Sequence, residues 1–160
     1  MTSSGRGSDA GHAATRRGAT KPCAFCAIVH GEAPAEEVYR DDRFVAFLDV
    51  HPVFRGHVLM APVEHLQTYD ELPSSLASAW LSTSQRLQLA VESAMDAEGS
   101  LMIVNNVVSQ SVPHLHLHVI PRSRGDGLRF WLGPRTKYGG VEDAAEVAAR
   151  IRAAVDASRR

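Results

Sequence analysis

Apolar positions along the chain repeat with two periods, and the period decides the element. Phe44 to Leu48 (Phe-Val-Ala-Phe-Leu) is a short apolar run fenced by Asp42-Arg43 and Asp49, the pattern of a strand. His57 to Ala61, closed by Pro62, and Leu101 to Asn105 read the same way, and His114 to Pro121 alternates strictly. The stretch from Cys23 to Asp42 predicts a short helical or knuckle segment, a turn, and a strand starting near Val38. A longer period opens at Pro73: Leu76, Trp80, Leu87, Val91, Ala94 and Met95 recur at helical spacings, and Gly99 ends the run. Residues 122–140 form a loop rich in Gly, Arg and aromatics, and Ala144, Val147, Ile151 and Val155 mark a closing amphipathic helix.

Strands joined by short turns pair antiparallel, whereas parallel winding needs a helix between most strand pairs. Only one long helix lies between strands here. The expected fold is therefore α+β: an antiparallel sheet of about five strands, one long central helix and a C-terminal helix.

Composition narrows the class. A chain of 160 residues, 44% hydrophobic and 22% charged, suits one soluble domain. Residues 1–21 contain no aliphatic side chain larger than Ala after Met1 and cannot offset their ordering entropy, so they read as a disordered tail ahead of a domain at 22–160. The tail has a net charge of +3, leaving −4 for the rest and −1 overall, which gives no reason to expect nucleic-acid binding. No apolar run approaches the roughly 18 residues of a membrane span, and no signal-type stretch opens the chain. A cytoplasmic location is expected. Two cysteines are too few for a disulfide scaffold.

The unusual count is eight histidines, three of them within five residues. His114, His116 and His118 alternate with Leu115, Leu117 and Val119, so on a strand the imidazoles share one face and the aliphatics the other. Mutual repulsion when protonated keeps such rings neutral near pH 7, with lone pairs available. Three readings follow: hydrogen-bonded structural histidines, a catalytic metal site with two or three of them as ligands, or nucleophilic catalysis at phosphorus. The neighbours Asn105, Asn106, Ser109, Gln110 and Ser111 are neutral donors, with no carboxylate of the kind a hydrolytic metal centre usually adds. Neutral donors suit phosphate oxygens, which favours the third reading.

Residues Gln110-Ser111-Val112-Pro113-His114-Leu115-His116-Leu117-His118-Val119-Ile120-Pro121-Arg122 resemble the signature of the histidine triad (HIT) superfamily of nucleotide hydrolases and transferases. An upstream set, Phe47, Asp49, Pro52, Gly56-His57, Leu59, Pro62 and His65, resembles that family's second motif. The resemblance implies a nucleophile at His116 that forms a covalent nucleotidyl-imidazole, with His118 assisting proton transfer. It implies phosphate contacts from Gln110, Ser111 and Asn105, ribose contacts from Asp49, and a base pocket of Phe25, Ile28, Phe47 and Val50. A third His, where some members carry Gln, favours hydrolysis over transfer or phosphorolysis.

The implied substrate is a purine nucleotide: a dinucleoside polyphosphate, an adenylylated small molecule or a phosphoramidate, with a divalent cation accompanying it. The implied assembly is a homodimer whose two sheets join. A nucleotide-binding regulatory protein with incidental hydrolysis, or a phosphorylase, is the alternative. The segment from Asn105 to Gln110 departs from the family pattern in having no Gly, where many members carry Asn-x-Gly and then Gly or Ala before the Gln. Trp131, Arg135, Lys137 and Tyr138 lie where members vary in substrate contacts, or form a plain surface loop.

Cys23-Ala24-Phe25-Cys26 is a C-x-x-C pair, open by itself to a disulfide, half a zinc site or coincidence. Tetrahedral structural zinc wants four N or S ligands, so histidines must complete any site. Bacterial members of the family with this pair imply the set Cys23, Cys26, His65 and His114 around a structural zinc.

Overall fold

The computed structural model describes residues 23–129 and 137–157, in two compact units that divide at Arg124 and Gly125. The first unit holds α1 (Ala24–Val29), β1 (Glu37–Arg40), β2 (Phe44–Leu48), β3 (Val58–Pro62), a 3-10 turn at Tyr69–Glu71, α2 (Ser74–Ala94), β4 (Gly99–Val104) and β5 (Leu117–Arg122). Its five strands form one antiparallel sheet in the order β1-β2-β3-β5-β4. The expected tail and the positions Trp131 and Arg135 lie outside the described residues.

Alternation along β2 and β3 explains why both faces of the sheet are covered. Phe44, Ala46, Val58 and Met60 face one way and pack with Trp80, Leu87 and Val91 of α2, and with Leu115, Leu117 and Val119. Val45, Phe47, Leu59 and Ala61 face the other way and pack with Phe25 of α1. The run at Phe44–Leu48 lacks polar alternation because both of its faces are buried. Asp41 closes the β1–β2 turn: its Oδ1 accepts from the Arg43 and Phe44 amides at 2.9 and 2.7 Å, and its Oδ2 from the Tyr39 hydroxyl at 2.8 Å. Burial opposes the charge, but these bonds and the Arg43 guanidinium hold the carboxyl at about 2.

Two boundaries differ from the sequence expectation. The central helix stops at Ala94 rather than at Gly99. Asp96 takes a left-handed φ of 51°, and Gly99 already opens β4. The histidine strand begins only at Leu117, so His114 and His116 precede it. Pairing stops there on both sides: β4 ends at Val104, opposite Leu117, and β3 pairs with β5 only as far as Met60, although β3 itself runs on to Pro62.

The second unit carries α3 (Val141–Ala157), the expected C-terminal helix, with none of its residues buried.

Candidate active site

The irregular backbone before β5 still alternates, and its histidines lie on the α1 side of the sheet. His116 is 2% exposed and His114 fully buried. The Phe25 ring meets both, with centroids 5.1 Å from His116 and 5.9 Å from His114. His116 and His118 are 4.8 Å apart.

Main-chain carbonyls set the protonation of two of these rings. His116 Nδ1 lies 2.6 Å from the carbonyl oxygen of His114, so Nδ1 carries the proton and Nε2 keeps its lone pair. Because this segment is outside the strand, the His114 carbonyl is not used by a sheet ladder. It also accepts from Gln110 Nε2 at 3.3 Å. His114 itself donates from Nε2 to the Pro62 carbonyl at 2.9 Å, which leaves its Nδ1 as a lone-pair donor.

That Nδ1 sits 3.5 Å from Cys23 Sγ and 3.7 Å from Cys26 Sγ, and His65 Nδ1 is 3.2 Å from Cys26 Sγ. Two tetrahedral zinc ligands, one S and one N, are about 3.6 Å apart at ordinary bond lengths. The four side chains named from the sequence therefore meet at a spacing that fits zinc. The chemistry fits as well. Burial and the adjoining Cys23 thiol raise the Cys26 thiol pKa, so a pair of thiolates there calls for a cation. The His114–Pro62 bond is the kind of outer contact that orients a metal-ligating imidazole. The catalytic-metal reading of His114, His116 and His118 gains no support from this geometry. Among the described residues His116 belongs to no group of three or more metal-capable side chains.

His118 faces a different neighbour. Register pairs it with Leu59 of β3, next to Val58 and His57, and His57 Nε2 lies 3.0 Å from His118 Nδ1. The Val53 amide donates to His57 Nδ1 at 3.3 Å, while Asp49 Oδ2 is 3.5 Å from the same nitrogen. A backbone N–H can only donate, so we assign the acceptor role to His57 Nδ1. His57 Nε2–H then donates to His118 Nδ1, and His118 Nε2 carries a proton of its own. Burial lowers the His57 pKa. Burial, with His116 and His57 nearby, brings His118 down to about 4. Both rings are neutral at pH 7. The Asn105 side-chain amide lies 3.5 Å from His118 Nε2, and turned so that its oxygen faces the ring it accepts that proton.

A cavity of about 290 Å³ opens beside these rings. His116, His118, Asp49 and Ser111 line it, and so do all four expected base-pocket residues, Phe25, Ile28, Phe47 and Val50. Gln110 is not brought to it. Its amide nitrogen donates to the Gln67 carbonyl at 2.6 Å, and its side-chain oxygen accepts from the Val107 amide at 3.0 Å. In the sequence His57 stands only as a member of the upstream motif, with no partner named, and the lining residue His51 has no assigned role. Only the β3–β5 register reveals the first, and its place two residues beyond Asp49 the second.

A model of the HIT domain matches residues 30–125. The chain belongs to the histidine triad family. A HIT-like protein of Methanocaldococcus jannaschii is 37% identical over 107 residues, 66% of this chain and 82% of that one. An adenylylsulfatase of Arabidopsis thaliana is 35% identical over 66% of this chain and 55% of its own. An adenosine 5'-monophosphoramidase of Candida albicans is 30% identical over 62% and 70%. Among solved structures, a HIT family protein of Bacillus subtilis superposes with a TM-score of 0.74 at 30% identity, covering 82% of this chain and 96% of its own. A zinc-bound histidine triad protein of Mycobacterium smegmatis does so with a TM-score of 0.64 at 35% identity, covering 82% and 97%.

The departure from the family's glycine pattern now has a structural account. Within Asn105–Gln110, where the chain has no glycine, Val107 and Ser109 adopt φ of 67° and 63°. Each is a left-handed conformation held by a residue with a side chain, at a cost of about 1–2 kcal/mol. Gly56 before His57 keeps the pattern for a visible reason: its φ is 86°, and a Cβ would collide with the Met95 side chain.

Proposed function

We propose that the protein is a nucleotide hydrolase acting at a nucleoside α-phosphate through a covalent nucleotidyl-histidine on His116. The observation that carries this reading is the His116 Nδ1–H bond to the His114 carbonyl, which leaves the Nε2 lone pair on a ring that lines the cavity. Nε2 attacks phosphorus, a P–N bond forms, and the bond from phosphorus to the leaving group breaks. The ring becomes cationic with its Nδ1–H still held by the carbonyl, which stabilises that charge. Water then attacks the same phosphorus, releases a nucleoside monophosphate and restores the neutral imidazole. His118 Nε2–H donates to the phosphate or leaving group, Ser111 and Asn105 add polar contacts, and Asp49 accepts from the ribose hydroxyls. Gln110 acts by holding the loop and the His114 carbonyl.

Adenylylated and phosphoramidate nucleotides are the favoured substrates, in line with the names of the Arabidopsis and Candida relatives. Zinc held by Cys23, Cys26, His65 and His114 is structural in this reading, pinning α1 to the segment before β5. The assembly is a homodimer formed along β4, one of the two edge strands in the order β1-β2-β3-β5-β4.

Replacing His116 with Asn tests the mechanism. Turnover of adenosine 5'-phosphoramidate should fall by about 10³-fold or more, with an unchanged circular dichroism spectrum. Undiminished turnover sinks the mechanism. Tight nucleotide binding without turnover by the unaltered protein would favour a regulatory role instead.

A further inference from the structure

We propose that Phe25 is a positioning residue that couples the metal site to the nucleotide cavity, so that zinc and nucleotide each strengthen binding of the other. This rests on the nucleotide reading of the cavity and on the zinc reading of Cys23, Cys26, His65 and His114. Phe25 stands between the two cysteines, two positions after Cys23 and directly before Cys26. Its ring is 8% exposed and lines the cavity. It meets the nucleophile His116 at a centroid distance of 5.1 Å and an interplanar angle of 82°, and the metal-side ring of His114 at 5.9 Å.

The backbone that carries this ring is held weakly from within. α1 has six residues, and a helix that short does not stand alone in water. Cys23 is its N-cap, yet the Cys23 side chain makes no capping bond. The Cys23 and Cys26 sulfurs face His114 Nδ1 instead, at 3.5 and 3.7 Å. Ligation of both cysteines therefore fixes the main chain on either side of Phe25, and with it the ring between them. With the cysteines unligated, the cost of ordering α1 falls on nucleotide binding and weakens it. Coupling between two sites is reciprocal, so a nucleotide packed on Phe25 raises the affinity for zinc by the same factor.

His114 offers a second route between the sites. Its ring faces the cysteines and its carbonyl holds His116 Nδ1. That route sets the proton of the nucleophile and acts on turnover, whereas the Phe25 route sets the cavity wall and acts on binding.

The test measures AMP affinity by calorimetry for the zinc-loaded and the chelator-treated protein. It also measures zinc retention against a chromogenic chelator, with and without saturating AMP, starting from the loaded chain. Zinc should lower the Kd for AMP about fivefold or more, and AMP should improve zinc retention by the same factor. In Phe25→Ala zinc should still bind at about one equivalent, while both factors fall to within about twofold of unity. Phe25→Tyr, which keeps the ring, should restore the coupling.

Equal AMP affinity with and without zinc overturns the inference and leaves both underlying readings standing. Full coupling in Phe25→Ala overturns the role of Phe25, whether the link then runs through His114 or through unfolding of the stripped chain. A native protein that binds no AMP overturns the nucleotide reading, and one that takes up no zinc overturns the zinc reading. Either result removes the inference as well.

Discussion

At the residue scale, the site is a set of imidazoles whose protons are assigned by fixed neighbours. His116 and His114 each donate to a carbonyl and keep a lone pair on the other nitrogen, while His57 accepts from an amide at one nitrogen and donates to His118 from the other. This gives a pH prediction. His118 titrates at about 4 in the folded chain, against 6.5 when unperturbed, because burial and the neighbouring rings disfavour its charge. Between those values the unfolded chain binds the extra proton and the folded chain does not, so stability is full above about pH 6.5 and falls toward pH 4. Asp41, held at about 2 against 3.8, adds a further loss only below that window. Thermal unfolding followed from pH 7 to 4 should show Tm falling. His118→Asn should flatten this limb by removing one titrating group, and an identical slope in that variant would contradict the assignment.

At the element scale, the informative unit is α1. It has six residues, too few to stand alone, yet it supplies Phe25 to the cavity and one cysteine, with the second just before it. Its placement therefore depends on packing against Phe47, at a centroid distance of 5.2 Å, and on the proposed zinc. Cys23→Ser should lose about one equivalent of zinc per chain by elemental analysis and lower Tm by about 5–10 °C. Zinc retained at full stoichiometry would remove Cys23 from the ligand set. The sequence made much of this legible. Alternation placed His114, His116 and His118 on one face, and the family resemblance implied eight site residues that line one cavity, Phe25, Ile28, Phe47, Asp49, Val50, Ser111, His116 and His118. What it did not yield depends on long-range register and on backbone supply. The His57–His118 contact spans 61 positions and exists because β3 and β5 are neighbours, which no local pattern encodes. The late start of β5 reflects where pairing stops, with β4 ending at Val104 and β3 pairing only as far as Met60, and its own residues do not signal it. Gln110 lies off the cavity because its side chain is taken up by the Gln67 and His114 carbonyls and the Val107 amide, and the first of these lies 43 positions away.

At the scale of the whole molecule, the sheet ends in two edge strands, β1 and β4. Among the described residues β4 pairs with β5 alone, its own Met102 is 37% exposed, and Leu81 of α2 is 58% exposed. A cavity of about 580 Å³ lies there, lined by Tyr69, Leu72, Trp80 and Val104 among others. A two-fold interface along β4 would cover these residues with their own copies and extend the sheet. Sedimentation should show a dimer for the native chain and a monomer for Leu81→Arg, with hydrolysis measured alongside; a native monomer at micromolar concentration would rule this assembly out. The carbonyl contacts of His116 and His114 have a consequence at this scale too. Their acceptors belong to the main chain at His114 and Pro62, so exchanging a side chain at either acceptor position leaves the oxygen in place. The choice of reactive nitrogen is inherited with the path of the backbone, and it is passed intact through sequence drift that would erase any side-chain partner.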